Sequence, residues 1–218
     1  TFMPKPIDEG QGSGMHTHMS LFEGDVNVFH DPGDVLGLSD IARKFVAGIL
    51  HHAPEFTAVT NQLINSYKRM VSGYESPVYV SWARNNRSAL VRVPIHKAGK
   101  ASSTRIEYRA LDSAANPYLA YSVILAAGLK GIEDGYELPD EADENLWSLN
   151  REQARKAGLQ RLPQDLREAL DLMEESELVR DVLGEHIFEW FLRNKREEWE
   201  AYQRHVTPYE IERYLPIW

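Results

Sequence analysis

The sequence predicts an α+β fold, because strand-like segments are concentrated early in the chain and helical segments late. Residues 76–82 and 88–95 are short runs rich in β-branched and aromatic side chains, and residues 104–111 alternate between polar and apolar side chains. The last third of the chain has the apolar spacing and the caps of successive helices. We therefore expect a sheet-rich part over residues 1–120 and a helical part over residues 121–218.

The first predicted strand follows a loop. Residues 1–14 are rich in proline and glycine, whereas residues 15–21 (MHTHMSL) alternate in the manner of a strand. Because successive side chains of a strand point to opposite faces, one face is expected to carry His16, His18 and Ser20.

Two helices of the first part are predicted from their caps. Ser39 is a good N-cap, and the helix that it begins is expected to end near His52, because Pro54 follows. A second helix is expected to begin at the Asn-Pro pair 116–117 and to reach about Gly131.

Caps and turn residues also predict the elements of residues 121–218. Residues 133–146 are acidic and predict a solvated loop. Ser176 can cap a helix that Gly184 ends, a long amphipathic helix follows, and the Thr-Pro pair 207–208 predicts a final short helix.

Composition excludes several classes of protein. None of the 218 residues is cysteine, which excludes a disulfide scaffold, a cysteine-ligated metal centre and a catalytic thiol. The longest apolar stretch, residues 117–129, is too short to span a bilayer, and the chain opens without a signal peptide, so we expect a cytoplasmic protein with no membrane partner. Because position 1 is not methionine, we expect this to be the back part of a longer protein.

The charge is unevenly distributed. The chain carries a net charge of −9, which argues against nucleic acid as a partner. Residues 68–109, however, contain nine basic and two acidic residues, a net charge of +7, and six of the nine are arginine. Arginine is the better planar binder of oxyanions, so this segment indicates a site for small anions.

The segment from Lys5 to Leu21 contains glycines before a His-x-His pair. Glycines at positions 10, 12 and 14 could let backbone N–H groups approach a phosphate, although the spacing matches neither a dinucleotide fingerprint nor a Walker A loop. Two imidazoles on one strand face can ligate a divalent metal, but an isolated pair is more often structural.

The segment TRIEYR places Arg105, Glu107 and Arg109 on one strand face. Two interpretations stay open: a surface salt-bridge network, or the wall of a cavity. In a cavity Glu107 would need a cation, and the arginines would need phosphates or carboxylates.

Residues 65–94 place further arginines and a glutamate beside turns, where catalytic groups often lie: Arg69, Glu75, Arg87 and Arg92. Each is singly compatible with an exposed polar loop. Together these segments supply the imidazole, carboxylate and guanidinium groups of metal-assisted phosphoryl transfer. The remaining helix histidines, His51 and His52 among them, have no evident ligand-spaced partners and are interpreted as ordinary.

Four ordered blocks resemble the C-terminal part of the catalytic domain of the glutamine synthetase family, or of a related glutamate–amine ligase: KPIDEGQGSGMHTHMSL, NSYKRMVSGYESP, RNNRSALVRVP and RIEYRALDSAANPYLA. The family is known for making glutamine from glutamate, ammonia and ATP through γ-glutamyl phosphate. The resemblance implies an antiparallel sheet that forms part of an active-site barrel, with surrounding and C-terminal helices.

The resemblance also implies a role for each matching residue, with Mg²⁺ or Mn²⁺ as the metal. The metal ligands would be His16 and Glu107. The ATP-binding residues would be His18, Ser20, Arg87 and Arg105. Glutamate would be bound by Arg69, Glu75 and Arg109. The catalytic residues would be Glu75, Arg87 and Arg92.

The resemblance leaves alternatives open. Relatives with these motifs use a polyamine, ethanolamine or another amine in place of ammonia, and a non-catalytic structural or regulatory descendant would keep the same fold. The family's other metal-binding glutamates would lie before Lys5, so we expect this piece alone to be inactive. The full-length protein is expected to be a homo-oligomer, a dodecamer of two hexameric rings.

Overall fold

A computed structural model of the chain describes residues 1–71, 76–95, 100–142, 146, 149 and 151–217, the side chain of Arg151 excepted. Glu75, one of the predicted site residues, lies outside these ranges. The predicted α+β class is confirmed.

The α-helices of the described residues are α1 (Asp40–Thr60), α2 (Ile64–Arg69), α3 (Pro117–Glu133), α4 (Arg151–Lys156), α5 (Leu166–Glu174), α6 (Glu177–Gln203) and α7 (Pro208–Tyr214). The strands are β1 (Thr17–Met19), β2 (Phe22–Glu23), β3 (Val26–Asn27), β4 (Trp82–Ala83), β5 (Val91–Arg92) and β6 (Ile106–Tyr108).

Four strands form one sheet in the order β1-β6-β5-β4, and β2 pairs with β3 separately. The pairs β1/β6 and β5/β6 are antiparallel, as predicted, but β4 joins β5 in the parallel direction. The sheet is therefore mixed. The strands are also shorter than the predicted segments, and β4 lies at the end of its segment, since Ala83 is one residue beyond it.

The predicted helix caps are confirmed. The side-chain oxygens of Ser39, Ser176 and Thr207 each accept a hydrogen bond from the backbone N–H three residues later, and that of Asn116 accepts one from Tyr118. Each bond satisfies a backbone donor that the first helical turn leaves without a partner. Gly184, at φ 71°, breaks the helical geometry inside α6 where the sequence predicts a stop.

Helix α1 does not end near His52, contrary to the prediction, but continues through Pro54 to Thr60. Proline removes one intrahelical hydrogen bond and crowds the preceding turn. Here the next turn and a half is held by burial, since Phe56, Ala58 and Val59 are at most 1% exposed. Tertiary packing outweighs the local cost of the proline.

Helices α1 and α3 cross with their backbones in close approach. A Cβ atom on Gly48 would overlap the carbonyl oxygen of Ala127, and one on Gly131 would overlap that of Lys44. Both helices contribute to the hydrophobic core, which also includes the sheet. In this core the ring of Phe56 on α1 lies 5.8 Å from that of Tyr108 on β6. The core thus supports one face of the sheet and leaves the other for polar side chains.

Among the described helices, none has the length and apolar character needed to cross a bilayer.

Candidate functional site

The sheet register brings residues of three strands into one row. His18 is paired with Glu107 across β1 and β6, and Arg92 is paired with Glu107 across β5 and β6. Because side chains alternate along a strand, the same face also receives the residues two positions away. We call the resulting set the arginine–carboxylate row: His16, His18, Arg92, Arg105, Glu107 and Arg109. The predicted grouping of residues 105, 107 and 109 on one face is confirmed.

Glu107 lies at the centre of this row and is 3% exposed. Its Oε1 atom is 2.8 Å from Nη1 of Arg109 and 2.9 Å from Nδ1 of His16, and its Oε2 atom is 2.8 Å from Nη1 of Arg92. Burial opposes ionisation most strongly, but the hydrogen bond from Arg92 and the positive charge of Arg109 hold the pKa of Glu107 below its usual value. Glu107 is therefore a buried carboxylate that stays charged.

His16 stays neutral beside this carboxylate. Burial, followed by the positive charge of Arg109, lowers the pKa of His16, while Glu107 works in the opposite direction. One-third of the side chain, 34%, is exposed. A neutral imidazole next to an ionised carboxylate fits two ligands of a divalent cation, since both groups must be deprotonated to bind one.

His18 is oriented by Arg105. The Nε–H of Arg105 donates to Nδ1 of His18 over 3.2 Å, and an Nη1–H of Arg105 donates to the carbonyl oxygen of Ser103 over 3.0 Å. Because Nδ1 of His18 accepts, the proton of the neutral ring is assigned to Nε2. Both side chains thus present N–H donors on an exposed part of the row, a suitable environment for phosphate oxygens.

Arg69 lies beneath the row and is 3% exposed. Its Nη1 and Nη2 groups donate to the backbone carbonyl oxygens of Ala110, at 2.8 Å, and Arg109, at 3.2 Å. Burial lowers the pKa of Arg69 to about 10, with the negative charge of Asp112 opposing that shift, so the guanidinium stays charged at neutral pH. In the structure Arg69 supports the end of β6; its predicted contact with glutamate stays a prediction.

The glycines before β1 make space for Arg69. A Cβ atom on Gly12 would lie 2.7 Å from Cγ of Arg69, and one on Gly14 would overlap its guanidinium. The N–H groups of Ser13 and Met15 already donate to carbonyl oxygens, at 2.7 and 2.8 Å. Close packing therefore explains these glycines, and those two N–H groups are not available to a phosphate.

The other predicted site residues lie around the row. Ser20 is half-buried one residue past the end of β1, and Arg87 is exposed in the turn between β4 and β5. Glu75 lies outside the described residues, so its place relative to the row is a prediction.

Two features were missed by sequence reasoning. Asp112 is fully buried close to Arg69, where its charge acts on that guanidinium, and its Oδ1 and Oδ2 atoms accept from the N–H of Ala114 and the amide of Asn61.

On α1 the side chains of His51, His52 and Glu55 come together, so the interpretation of these histidines as lacking partners is wrong. The spacing from His51 to Glu55, i to i+4 on a helix, was the available signal.

The sequence model of the family described as "Glutamine synthetase, catalytic domain" matches residues 1–214. The chain belongs to the glutamine synthetase family.

Glutamine synthetase relatives align with the whole chain. The glutamine synthetase of Mycolicibacterium smegmatis is 59% identical over 217 residues, which cover 100% of this chain and 49% of that protein. The glutamine synthetase of Thermotoga maritima is 49% identical over 215 residues, 99% of this chain and 48% of that protein. The chain thus spans about half the length of the curated glutamine synthetases that it matches.

A solved structure described as the GmaS/ADP complex, conformation 1, is similar in fold, with a TM-score of 0.86 and 37% sequence identity. It is matched over 99% of this chain and 49% of that one.

Proposed function

We propose that the protein to which this chain contributes is an ATP-dependent ligase that forms an amide at the γ-carboxylate of glutamate, with ammonia as the amine and glutamine as the product. The observation that carries this proposal is the arginine–carboxylate row, in which an ionised Glu107 and a neutral His16 lie beside four N–H-bearing side chains. Membership of the glutamine synthetase family supports it.

The first chemical step is phosphoryl transfer. An oxygen of the glutamate γ-carboxylate attacks the γ-phosphorus of ATP, the bond from that phosphorus to the bridging oxygen breaks, and ADP leaves. Guanidinium groups aimed at the transferring phosphoryl group stabilise its charge, which is the main requirement of such a step. We assign Arg105 and His18 to the phosphate oxygens of ATP, because both present N–H donors on an exposed part of the row, and Arg109 to glutamate.

The second step is aminolysis of γ-glutamyl phosphate. The amine nitrogen attacks the acyl carbon, the carbon–oxygen bond to phosphate breaks, and the proton lost from nitrogen goes to a base. Glu75 is our proposed acceptor.

His16 and Glu107 are the residues of this chain that fit a divalent metal, Mg²⁺ or Mn²⁺, because one is held neutral and the other ionised. A metal bound there would neutralise charge on the ATP phosphates. Two ligands are few for such an ion. We therefore infer that the remaining ligands come from the other half of the full-length protein, and that this chain by itself is inactive.

The amine is the least constrained part of the proposal. We propose ammonia because the curated relatives at 46–59% identity are named glutamine synthetase. The test is ADP and phosphate release by the full-length protein with glutamate, ATP and a panel of ammonia, ethanolamine and polyamines. Preference for an organic amine would replace glutamine synthesis by another γ-glutamyl ligation. Failure to bind Mg-ATP at all would favour a non-catalytic descendant.

We further propose that the full-length protein is a cytoplasmic homo-oligomer, a dodecamer of two hexameric rings. The chain after α6 supports association, because its apolar side chains are exposed without a core of their own: Val206, Tyr209, Ile211, Tyr214, Leu215 and Ile217. Light scattering on the full-length protein, with and without residues 204–218, tests this. A monomer in both cases would contradict it.

A further inference from the structure

A second group of potential metal ligands lies on α1, away from the arginine–carboxylate row. Among the described residues, one group of three His, Cys, Asp or Glu side chains has its ligand atoms within 4.8 Å of one another, and it consists of His51, His52 and Glu55. His51 is exposed, His52 is buried and Glu55 is intermediate. The ligands thus come from one helical turn and remain accessible from solvent.

The separations suit a tetrahedral ion. Metal–nitrogen and metal–oxygen bonds of about 2.0–2.1 Å place the ligand atoms of a tetrahedral zinc about 3.3–3.4 Å apart. Nδ1 of His52 and Oε2 of Glu55 are already 3.0 Å apart. His51 is exposed, so rotation of its side chain can bring its ring nitrogen within bonding distance without disturbing the core.

Neighbouring groups hold the two inner side chains in place. The hydroxyl of Ser176, the N-cap of α6, donates to Oε2 of Glu55, and the hydroxyl of Tyr136 lies 3.5 Å from Nε2 of His52. Hydrogen bonds from neighbouring groups orient a metal-binding side chain and raise its metal affinity. Ser176 holds the carboxylate of Glu55 in this way, and Tyr136 lies at the ring nitrogen of His52 that faces away from Glu55.

The surrounding charge favours a cation. His52 and Glu55 line a cavity of about 700 Å³ whose walls carry four further carboxylates, those of Glu133, Glu175, Glu177 and Asp181. Lys130 is the basic side chain of that lining, and it is paired with Asp134 at 3.0 Å. A cleft lined mainly by one sign of charge concentrates the opposite ion.

We propose that His51, His52 and Glu55 bind one divalent transition-metal ion of the zinc class, at a site separate from the arginine–carboxylate row. Two imidazoles and one carboxylate are a donor set that zinc accepts, and three protein ligands leave one position for water.

The test is zinc titration of the full-length protein by calorimetry, in excess Mg²⁺ so that oxygen-rich sites are filled. We expect the protein to bind one zinc per subunit that the variant His51→Gln lacks or binds at least about tenfold more weakly. His51→Gln changes an exposed side chain, so an unaltered thermal unfolding curve without zinc shows that the fold is kept.

Two matched variants locate the ion. His205→Gln removes an exposed histidine outside the cluster and should leave zinc binding unchanged, and Glu107→Gln should still bind the zinc ion that His51→Gln loses. Equal zinc stoichiometry and affinity in the parent and His51→Gln would overturn the proposal, as would loss of this zinc in Glu107→Gln. Neither result would bear on the proposed ligase activity.

Discussion

Glu107 and Asp112 are two buried carboxylates five residues apart, and their surroundings give them opposite acidities. Glu107 is bound by the guanidinium groups of Arg92 and Arg109, and its pKa is lowered although burial opposes this. Burial raises the pKa of Asp112, because its hydrogen bonds come mainly from neutral groups and do not offset the desolvation. Charged donors at hydrogen-bond distance, more than burial itself, decide which carboxylate is ready to bind a cation.

Removal of the charge of Glu107, by Glu107→Gln, should have the largest effect on activity. In the full-length enzyme we expect ligase turnover to fall by about 100- to 1,000-fold, the size of effect seen when one preorganised charge-stabilising group is lost. The measurement is glutamate-dependent release of phosphate at saturating ATP and metal. Glu152→Gln is the matched control, since that carboxylate is paired on the surface of α4 and should leave turnover unchanged. Equal turnover in both variants would exclude a direct role for Glu107.

Arg92→Gln makes the surroundings of Glu107 resemble those of Asp112, because a neutral amide replaces one charged donor. We expect turnover to fall about tenfold, equivalent to about 1.4 kcal/mol. Arg84→Gln is the control: Arg84 is paired with Glu141, outside the row. If turnover decreased similarly in both variants, the cause would be the loss of positive charge from the segment and not the loss of the contact with Glu107.

Gly14→Ala tests the support beneath the row. The added methyl group would overlap the guanidinium of Arg69, and overpacking of this kind costs about 1–3 kcal/mol. Chemical denaturation should show this loss in the free energy of unfolding. Gly33→Ala, where the nearest atom to a Cβ is 3.3 Å away on an exposed aspartate, is the control and should change stability little. Unchanged stability of Gly14→Ala would mean that Arg69 can rearrange.

Asp112→Asn should have the smallest effect, a change in how the free energy of unfolding depends on pH. A carboxylate whose pKa is higher in the folded than in the unfolded state holds its proton more tightly when folded. It therefore favours folding increasingly as the pH falls from the folded pKa toward 3.8. The parent should gain stability relative to Asp112→Asn over this window, by at most about 1.4 kcal/mol per pH unit. Thermal unfolding of both proteins from pH 7 to pH 4 measures the difference; a difference of the opposite sign would contradict a raised pKa.

Local patterns predicted several features correctly. Strand alternation placed Arg105, Glu107 and Arg109 on one face, because the period of a strand is fixed by backbone geometry. The caps at Ser39 and Asn116 were also predicted, since a cap depends on residues within one helical turn.

Features that depend on distant contacts were not predicted. The continuation of α1 past Pro54 depends on burial of that helix in the core, which no local pattern reveals. The role of Gly12 and Gly14 depends on Arg69, more than fifty residues away in the chain. Proximity of Glu55 to Ser176 required α6 to return to α1.

The sequence by itself determined which residue types the site contains, which face of each strand they occupy and, through ordered motifs, the family. Those properties depend on backbone period and on residues close in the chain. The tertiary structure decided which carboxylate stays ionised, because Arg92 reaches Glu107 only through the register of β5 with β6. An uneven distribution of charge is visible in a sequence, but the pKa of one side chain is set by the few atoms that folding brings within about 4–6 Å of it.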